Sequence, residues 1–305
     1  MLEVSELSIS FNSLDRHFRP KKTEAIHKLE LSIDAGEILA VVGSSGSGKS
    51  LLAHAILGIL PGNAQVTGTI RFKGEKLTAE RQAGLRGKEI ALIPQSVQYL
   101  DPLMRVGDQV RQAVRRGNPD ELQRKAFSKY KLSDFVAKLF PLQLSGGMAR
   151  KVLVSTATVS GAQLLIADEP TPGLDAPSMS ETLSRFKQLA QEGCAVMLIT
   201  HDIEAALTVA DRIAVLYAGT VIEIAPRSDF TGDGQRLRHP YTQALWRALP
   251  GNGFIPLPGA QPLPDALPTG CVFAPRCSMA TSECEQQAPE SRTVRSGKVR
   301  CIHSA

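Results

Sequence analysis

Apolar and polar residues alternate in "LEVSELSISF" (2–11) and again in "AIHKLELSI" (25–33). That period of two predicts two strands, each with one buried face. The pattern then changes. "EILAVVG" (37–43) is a continuous apolar run closed by glycine, which predicts a strand covered on both sides. "KSLLAHAILGIL" (49–60) returns to helical spacing and stops at Pro61-Gly62. "EIALIPQ" (89–95) is a second buried strand. From about Ser96 to Ser160 the spacing is mostly helical, with breaks at Gly117-Asn118-Pro119 and Phe140-Pro141. Buried-strand runs resume in "QLLIADEP" (163–170), "CAVMLITHD" (194–202) and "RIAVLYAG" (212–219), with a helical stretch around 178–191 between the first two.

Strands alternating with helices predict an α/β fold, a mainly parallel sheet flanked by helices. The stretch 96–160 interrupts that alternation and predicts a helical subdomain. Beyond Phe230 the texture shifts. "HPYTQALWRALP" (239–250) suits one short helix, and proline and glycine dominate from Pro250 to Gly270. The chain therefore divides into residues 1–230 and a loop-rich extension, 231–305.

Composition narrows the class. The 305 residues are 43% hydrophobic and 21% charged, ordinary for a soluble chain. No apolar run approaches the roughly 18 residues of a membrane span. "MLEVSELSISFNS" has neither basic leader nor apolar core, so no signal peptide is expected. The expected location is the cytosol, or the cytosolic face of a membrane through a partner. A formal charge of +5 points only weakly to nucleic acid or lipid. A local bias, eight Lys/Arg against three Asp/Glu between Arg105 and Lys131, fits an exposed helical face.

The chemistry starts at "GSSGSGKS": Gly43, Ser44, Ser45, Gly46, Ser47, Gly48, Lys49 and Ser50. This satisfies G-x-x-x-x-G-K-[ST] in full, with a buried strand before it and a helix after it. Glycines let successive N–H groups turn toward phosphate oxygens. Lys49 offers positive charge to the β and γ phosphates, Ser50 a hydroxyl to Mg²⁺, and the helix its positive end. "LLIADEP" then closes a buried strand with Asp168, suited to the Mg²⁺ shell, and Glu169, suited to general-base work on water. His201 ends the corresponding run "LITH", and parallel strands would bring it to the same edge.

"LSGGM" (Leu144, Ser145, Gly146, Gly147, Met148), just upstream of "LLIADE", resembles the signature motif of ABC-transporter ATPases. Gln95 resembles that family's Q-loop glutamine, Asp175 in "PGLD" its D-loop aspartate, and His201 its switch histidine. The resemblance covers residues 1–225 in motif order. It narrows further to the oligopeptide/dipeptide/nickel import group through "QSVQYLDPLMRVGDQV", "HPYTQAL" and the tail "LPTGCVFAPRCSMATSEC…RCIH". Three departures stand out: Met148 where glutamine is commonest, "ARKVLV" after it, and Pro172-Gly173 in the D-loop.

The resemblance implies a P-loop ABC cassette with antiparallel N-terminal strands and the helical subdomain. It implies ATP bound through Gly43–Ser50 and Leu51, Phe18 stacking on adenine, and Mg²⁺ held through Ser50, Gln95 and Asp168. Glu169, His201 and Gln95 would be catalytic, and residues 144–148 would contact ATP in a second ATPase subunit, usually a different chain. Two transmembrane permeases and an extracytoplasmic binding protein would complete an importer, with this chain peripheral on the cytoplasmic face of the cell membrane. The cargo would be di- or oligopeptides; nickel or another metal chelate is the alternative. A soluble ABC ATPase acting on nucleic acid is less favoured, because neither a second cassette nor a long coiled-coil insert is present.

Four of the five cysteines, Cys271, Cys277, Cys284 and Cys301, crowd the tail in a C-x5-C-x6-C-x16-C spacing. A reducing cytosol disfavours disulfides. The spacing leaves zinc, an iron–sulfur cluster and free thiols open, although zinc sites favour closer pairs. The resemblance implies a [4Fe–4S] cluster on these four residues. Cys194, within an apolar run, reads as a small core residue.

Overall fold

A computed structural model describes residues 1–14 and 17–304. The two alternating segments form long antiparallel strands, β1 (Leu2–Leu14) and β2 (Pro20–Ile33), in register Leu2↔Ile33. β3 (Ile38–Val42) is buried at every residue and leads through the glycine-rich loop into α1 (Lys49–Leu57). The helix stops three residues before the apolar spacing does, because Gly58 takes a left-handed conformation and its N–H bonds back to the last carbonyls. β4 (Ala64–Phe72) and β5 (Glu75–Lys76) complete a four-stranded antiparallel sheet ordered β2-β1-β4-β5. α2 (Ala79–Leu85) and β6 (Ile90–Ile93) follow.

The stretch 96–160 is helical in short pieces: α3 (Val106–Ala113), α4 (Pro119–Lys129) and α5 (Gly146–Thr158), which pack on one another. Asn118 caps α4, with Pro119 at its first turn, so the expected break is where the helix begins. β7 (Leu164–Asp168), α6 (Ala176–Gln191), β8 (Ala195–Thr200), α7 (Ile203–Val209) and β9 (Arg212–Tyr217) restore the alternation. β10 (Thr220–Pro226) then turns back antiparallel on β9. The tail adds α8 (Pro240–Arg247), α9 (Ser282–Gln286) and a hairpin, β11 (Arg292–Val294) with β12 (Gly297–Val299).

The main sheet has eight strands in the order β11-β12-β10-β9-β3-β8-β7-β6. β9, β3, β8, β7 and β6 are parallel, and β10, β12 and β11 each pair antiparallel with their neighbours. Alternate residues of β3 face opposite cores. Ile38, Ala40 and Val42 pack with Phe127, Phe186, Tyr217 and Phe273 on the helical side. Leu39 and Val41 pack with α1 and the antiparallel sheet on the other. Two covered faces explain why β3, β7 and β8 read as unbroken apolar runs.

The extension is joined to the sheet through more than the hairpin. Glu223 on β10 is fully buried and accepts from the backbone N–H groups of Arg238 (2.8 Å) and His239 (2.8 Å). The Arg238 guanidinium lies 3.3 Å from Glu223 and 2.8 Å from Asp229, and donates to the Val294 carbonyl of β11. Among the described residues, no helix is long and apolar enough to cross a membrane.

Candidate active site

The parallel register brings one edge of the sheet together. Val42 pairs with Thr200, Asp168 with Ile199, and Ile93 with Ala167, so the phosphate loop, Gln95, Glu169 and His201 all leave strands at the same end. They line a cleft of about 510 Å³, with Ser45, Gly46, Gly48, Lys49, Ser50 and Leu51 as its floor.

Two glycines fix the loop. A Cβ on Gly43 would lie 2.2 Å from the Leu216 carbonyl oxygen, so no side chain fits where the loop crosses β9. Gly48 caps α1 at φ 104°, a left-handed conformation that favours glycine. Ser47 is buried, and its carbonyl accepts from Gly219 N–H at 3.0 Å. The Lys49 ammonium donates to the carbonyls of Gly43 (2.8 Å) and Ser44 (3.0 Å). Burial lowers the Lys49 pKa, while Glu169 and Asp168 oppose that shift. A buried ammonium beside two carboxylates is a ready partner for phosphate oxygens.

Asp168 is 3% exposed, and its Oδ1 has no hydrogen-bond partner among the described residues. Burial raises its pKa, and a hydrogen bond from Ser50 pulls it back. An orphaned carboxylate oxygen beside a hydroxyl, with the Gln95 amide on the same cleft, is an oxygen donor set that suits Mg²⁺. Glu169 follows at φ 47°, a left-handed backbone rare outside glycine, of the kind that concentrates at functional sites. Both its carboxylate oxygens lie against His201 Nδ1, at 2.9 and 3.0 Å.

The signature residues lie elsewhere. Ser145 caps α5, accepting from Met148 N–H at 3.3 Å, and Ser145 and Gly146 are exposed. Leu144, Gly147 and Met148 are half-buried, and none of residues 144–148 lines the phosphate cleft of its own chain. Arg150, two residues on, is a link that the sequence reading missed. Its guanidinium donates to the carbonyls of Pro94 (2.7 Å) and Gln95 (2.5 Å), joining the signature helix to the Q-loop. Asp175 caps α6, accepting from Ser178 N–H at 2.7 Å. Phe18 is 83% exposed in the turn before β2 and is not among the residues lining the cleft.

The tail cysteines gather without closing a site. All are free thiols. Cys271 N–H donates to the Cys284 carbonyl at 2.7 Å. Burial raises the Cys271 and Cys277 thiols, and Cys284 and Cys301 add to the rise, so the four share one electrostatic neighbourhood. Cys284 Sγ lies 3.3 Å from His303 Nε2. Even so, among the described residues no three His, Cys, Asp or Glu side chains converge where a metal ion could sit. The expected cluster therefore finds its donors in the tail but no assembled cage. Cys194 is buried.

The chain is similar to known proteins. Residues 26–172 match the family model of the ABC transporter, and residues 222–284 that of the oligopeptide/dipeptide transporter C-terminal region. The chain is 34% identical over 327 residues to a dipeptide transport ATP-binding protein, DppD, of Escherichia coli (strain K12), spanning 99% of this chain and 96% of that one. It is 34% identical over 310 residues to an oligopeptide transport ATP-binding protein, OppD, of Mycobacterium tuberculosis (strain ATCC 25618 / H37Rv), where it covers 95% of itself and only 49% of the relative. The chain thus spans about half the length of the mycobacterial protein. Both relatives are named for peptides. A dimeric ATP-binding cassette, MJ0796, bound to ADP and Pi, superposes with a TM-score of 0.66 at 24% identity, over 74% of this chain and 99% of that one. That likeness bears on the fold.

Proposed function

The chain belongs to the ABC transporter family, in the group with the oligopeptide/dipeptide transporter C-terminal region, and on that premise we propose that it is the ATP-binding and hydrolysing subunit of an importer for di- or oligopeptides. The observation that carries this reading is the cleft itself: a buried ammonium, an orphaned Asp168 oxygen and a Glu169–His201 pair at one sheet edge, beside a complete phosphate loop.

The site is half of a working one. Its own signature residues lie outside the cleft, with the exposed Ser145 and Gly146 at the start of α5 free to face another molecule. The unsatisfied N–H groups of a helix start suit a γ-phosphate bound by a second ATPase subunit. That subunit would be a different chain, and the pair would sit on two permeases at the cytoplasmic membrane face, served by an extracytoplasmic binding protein.

Within the closed pair, Lys49 and the loop N–H groups hold the β and γ phosphates. Ser50, Asp168 and Gln95 would hold Mg²⁺, whose chemistry when bound is to neutralise charge on phosphate oxygens. Glu169 orients an attacking water and accepts its proton. It must first leave His201 Nδ1, and His201 is then free to turn toward the γ-phosphate. Arg150 carries the change at Gln95 into the signature helix and the helical subdomain. Loss of the γ-phosphate removes the ligand shared across the pair, so the pair opens.

We also propose the four tail cysteines as ligands of a [4Fe–4S] cluster, with zinc the alternative. Their shared neighbourhood supports this; binding would have to draw the thiols together. Iron and acid-labile sulfide in anaerobically purified protein test it, and their absence, with no bound zinc, rejects it.

The function is tested in proteoliposomes holding the chain with its co-purified membrane subunits. Glu169→Gln should leave ATP bound and slow hydrolysis by roughly 10²-fold or more, with peptide uptake falling in parallel. Undiminished hydrolysis would remove Glu169 from the role given to it.

A further inference from the structure

The phosphate loop of this chain touches the C-terminal extension. Gln261 lies 217 residues beyond Ser44, in the stretch richest in proline and glycine, yet its Oε1 accepts from the Ser44 hydroxyl at 2.7 Å. The same oxygen accepts from the Ala218 N–H at 3.2 Å, in the turn between β9 and β10. Burial pushes the Tyr241 phenol up, and its hydrogen bond to Ser44 draws it partly back, so a second tail residue meets the same serine.

Gln261 is itself held. Arg276 donates to the carbonyls of Pro258 (2.9 Å) and Leu257 (3.4 Å), just upstream of it. That guanidinium also bonds the Tyr217 hydroxyl at 3.1 Å and stacks over its ring. Phe273 meets the rings of Tyr217 and Tyr241 edge to face, and those two tyrosines pack tilted against each other. Downstream, Asp265 pairs with Lys21 of β2 at 2.7 Å. The segment 257–265 is thus anchored at three places on the nucleotide-binding fold.

The Ser44 carbonyl, with that of Gly43, takes Lys49 Nζ. Fixing its hydroxyl fixes the peptide on either side, and so the direction in which the first loop N–H groups point. A loop shaped before ligand arrives loses less freedom on binding.

We propose that Gln261 is a positioning residue for the phosphate loop, through which the C-terminal extension sets the chain's affinity for nucleotide. The proposal rests on the ATP-binding reading above. It places on the extension a task at the nucleotide site that the loop motif alone does not reveal.

The test is equilibrium binding of Mg-ATP to the full chain and to Gln261→Met, which keeps length and apolar bulk but loses the acceptor. A net loss of one or two neutral hydrogen bonds predicts roughly three- to ten-fold weaker binding, with at most a small fall in thermal midpoint. Ser44→Ala should also weaken binding, and the double variant should be no worse than Gln261→Met alone, because Ser44→Ala removes a contact that Gln261→Met has already broken. Unchanged or tighter binding by Gln261→Met overturns the proposal. So do additive losses in the double variant, or a loss that follows a fall in thermal midpoint and is not shared by Ser44→Ala. If the unaltered chain binds no Mg-ATP, the ATP-binding reading fails first, and that result is distinct from all of these.

Discussion

Glu223→Ala probes the joint between extension and sheet. The Glu223 side chain is fully buried, and Arg238 beside it is 1% exposed. Burial raises the Glu223 pKa; the His239 and Arg238 backbone bonds, Thr242 and the Arg238 charge oppose that rise. Truncation leaves two buried backbone N–H groups, those of Arg238 and His239, without an acceptor. Each unsatisfied group costs roughly 1–3 kcal/mol. The Arg238 charge keeps Asp229 but loses its second carboxylate. Breaking a buried pair costs about 3–5 kcal/mol, which agrees with the sum over the two N–H groups. Urea denaturation followed by fluorescence suits this region, because the chain's one tryptophan, Trp246, sits in α8, a few residues beyond Arg238. Glu223→Gln keeps one acceptor and should cost less than half as much. Hydrogen exchange in β11 and β12 should rise with Glu223→Ala, since Arg238 also holds the Val294 carbonyl. A loss below about 1 kcal/mol, with the hairpin still protected, would show that the cluster does not hold the extension in place.

Further outcomes follow from the same structure. His239 is fully buried, and burial drives its pKa from 6.5 down to about 3. Below about pH 6.5 the unfolded chain takes a proton that the folded chain refuses, so His239 costs up to about 1.4 kcal/mol per pH unit as pH falls toward 3. His239→Asn, which can still cap α8, should flatten acid denaturation in that window; an unchanged pH profile would refute the assignment. Phe273→Ala empties the ring position against Tyr217 and Tyr241 and should cost about 3–5 kcal/mol, read from thermal or urea unfolding. Arg150→Met should leave Mg-ATP binding near its original value but slow hydrolysis in the assembled complex, because it cuts the link from Gln95 to α5; equal hydrolysis would remove Arg150 from the coupling path.

What the sequence made legible depended on whether the cause was local. β3, β7 and β8 are buried on both faces, so each is an unbroken apolar run whose end shows in a Gly, Asp or Thr. The phosphate loop is eight consecutive residues, and its motif is written in them without a gap. The convergence of Asp168, Glu169 and His201 followed from parallel strands alone. β4 was hidden because "AQVTGTIRF" is mostly exposed and carries Gly68, which sits where a Cβ would strike Glu6 O. β10 was hidden by Glu223, a buried charge whose partners lie 15 residues on. Arg150 reaches a backbone carbonyl 55 residues away and Gln261 a serine hydroxyl 217 residues away, contacts that no periodicity records. The tail cysteines were conspicuous by count, but spacing carries no information about convergence, and the thiols share a neighbourhood without forming a cage.

ATP-driven transport depends on the Lys49 ammonium. Peptide uptake into proteoliposomes, with Mg-ATP supplied on the side bearing this subunit, should fall to the level of the ATP-free control when Lys49→Ala replaces the native chain. Uptake at the native rate with that variant would contradict it.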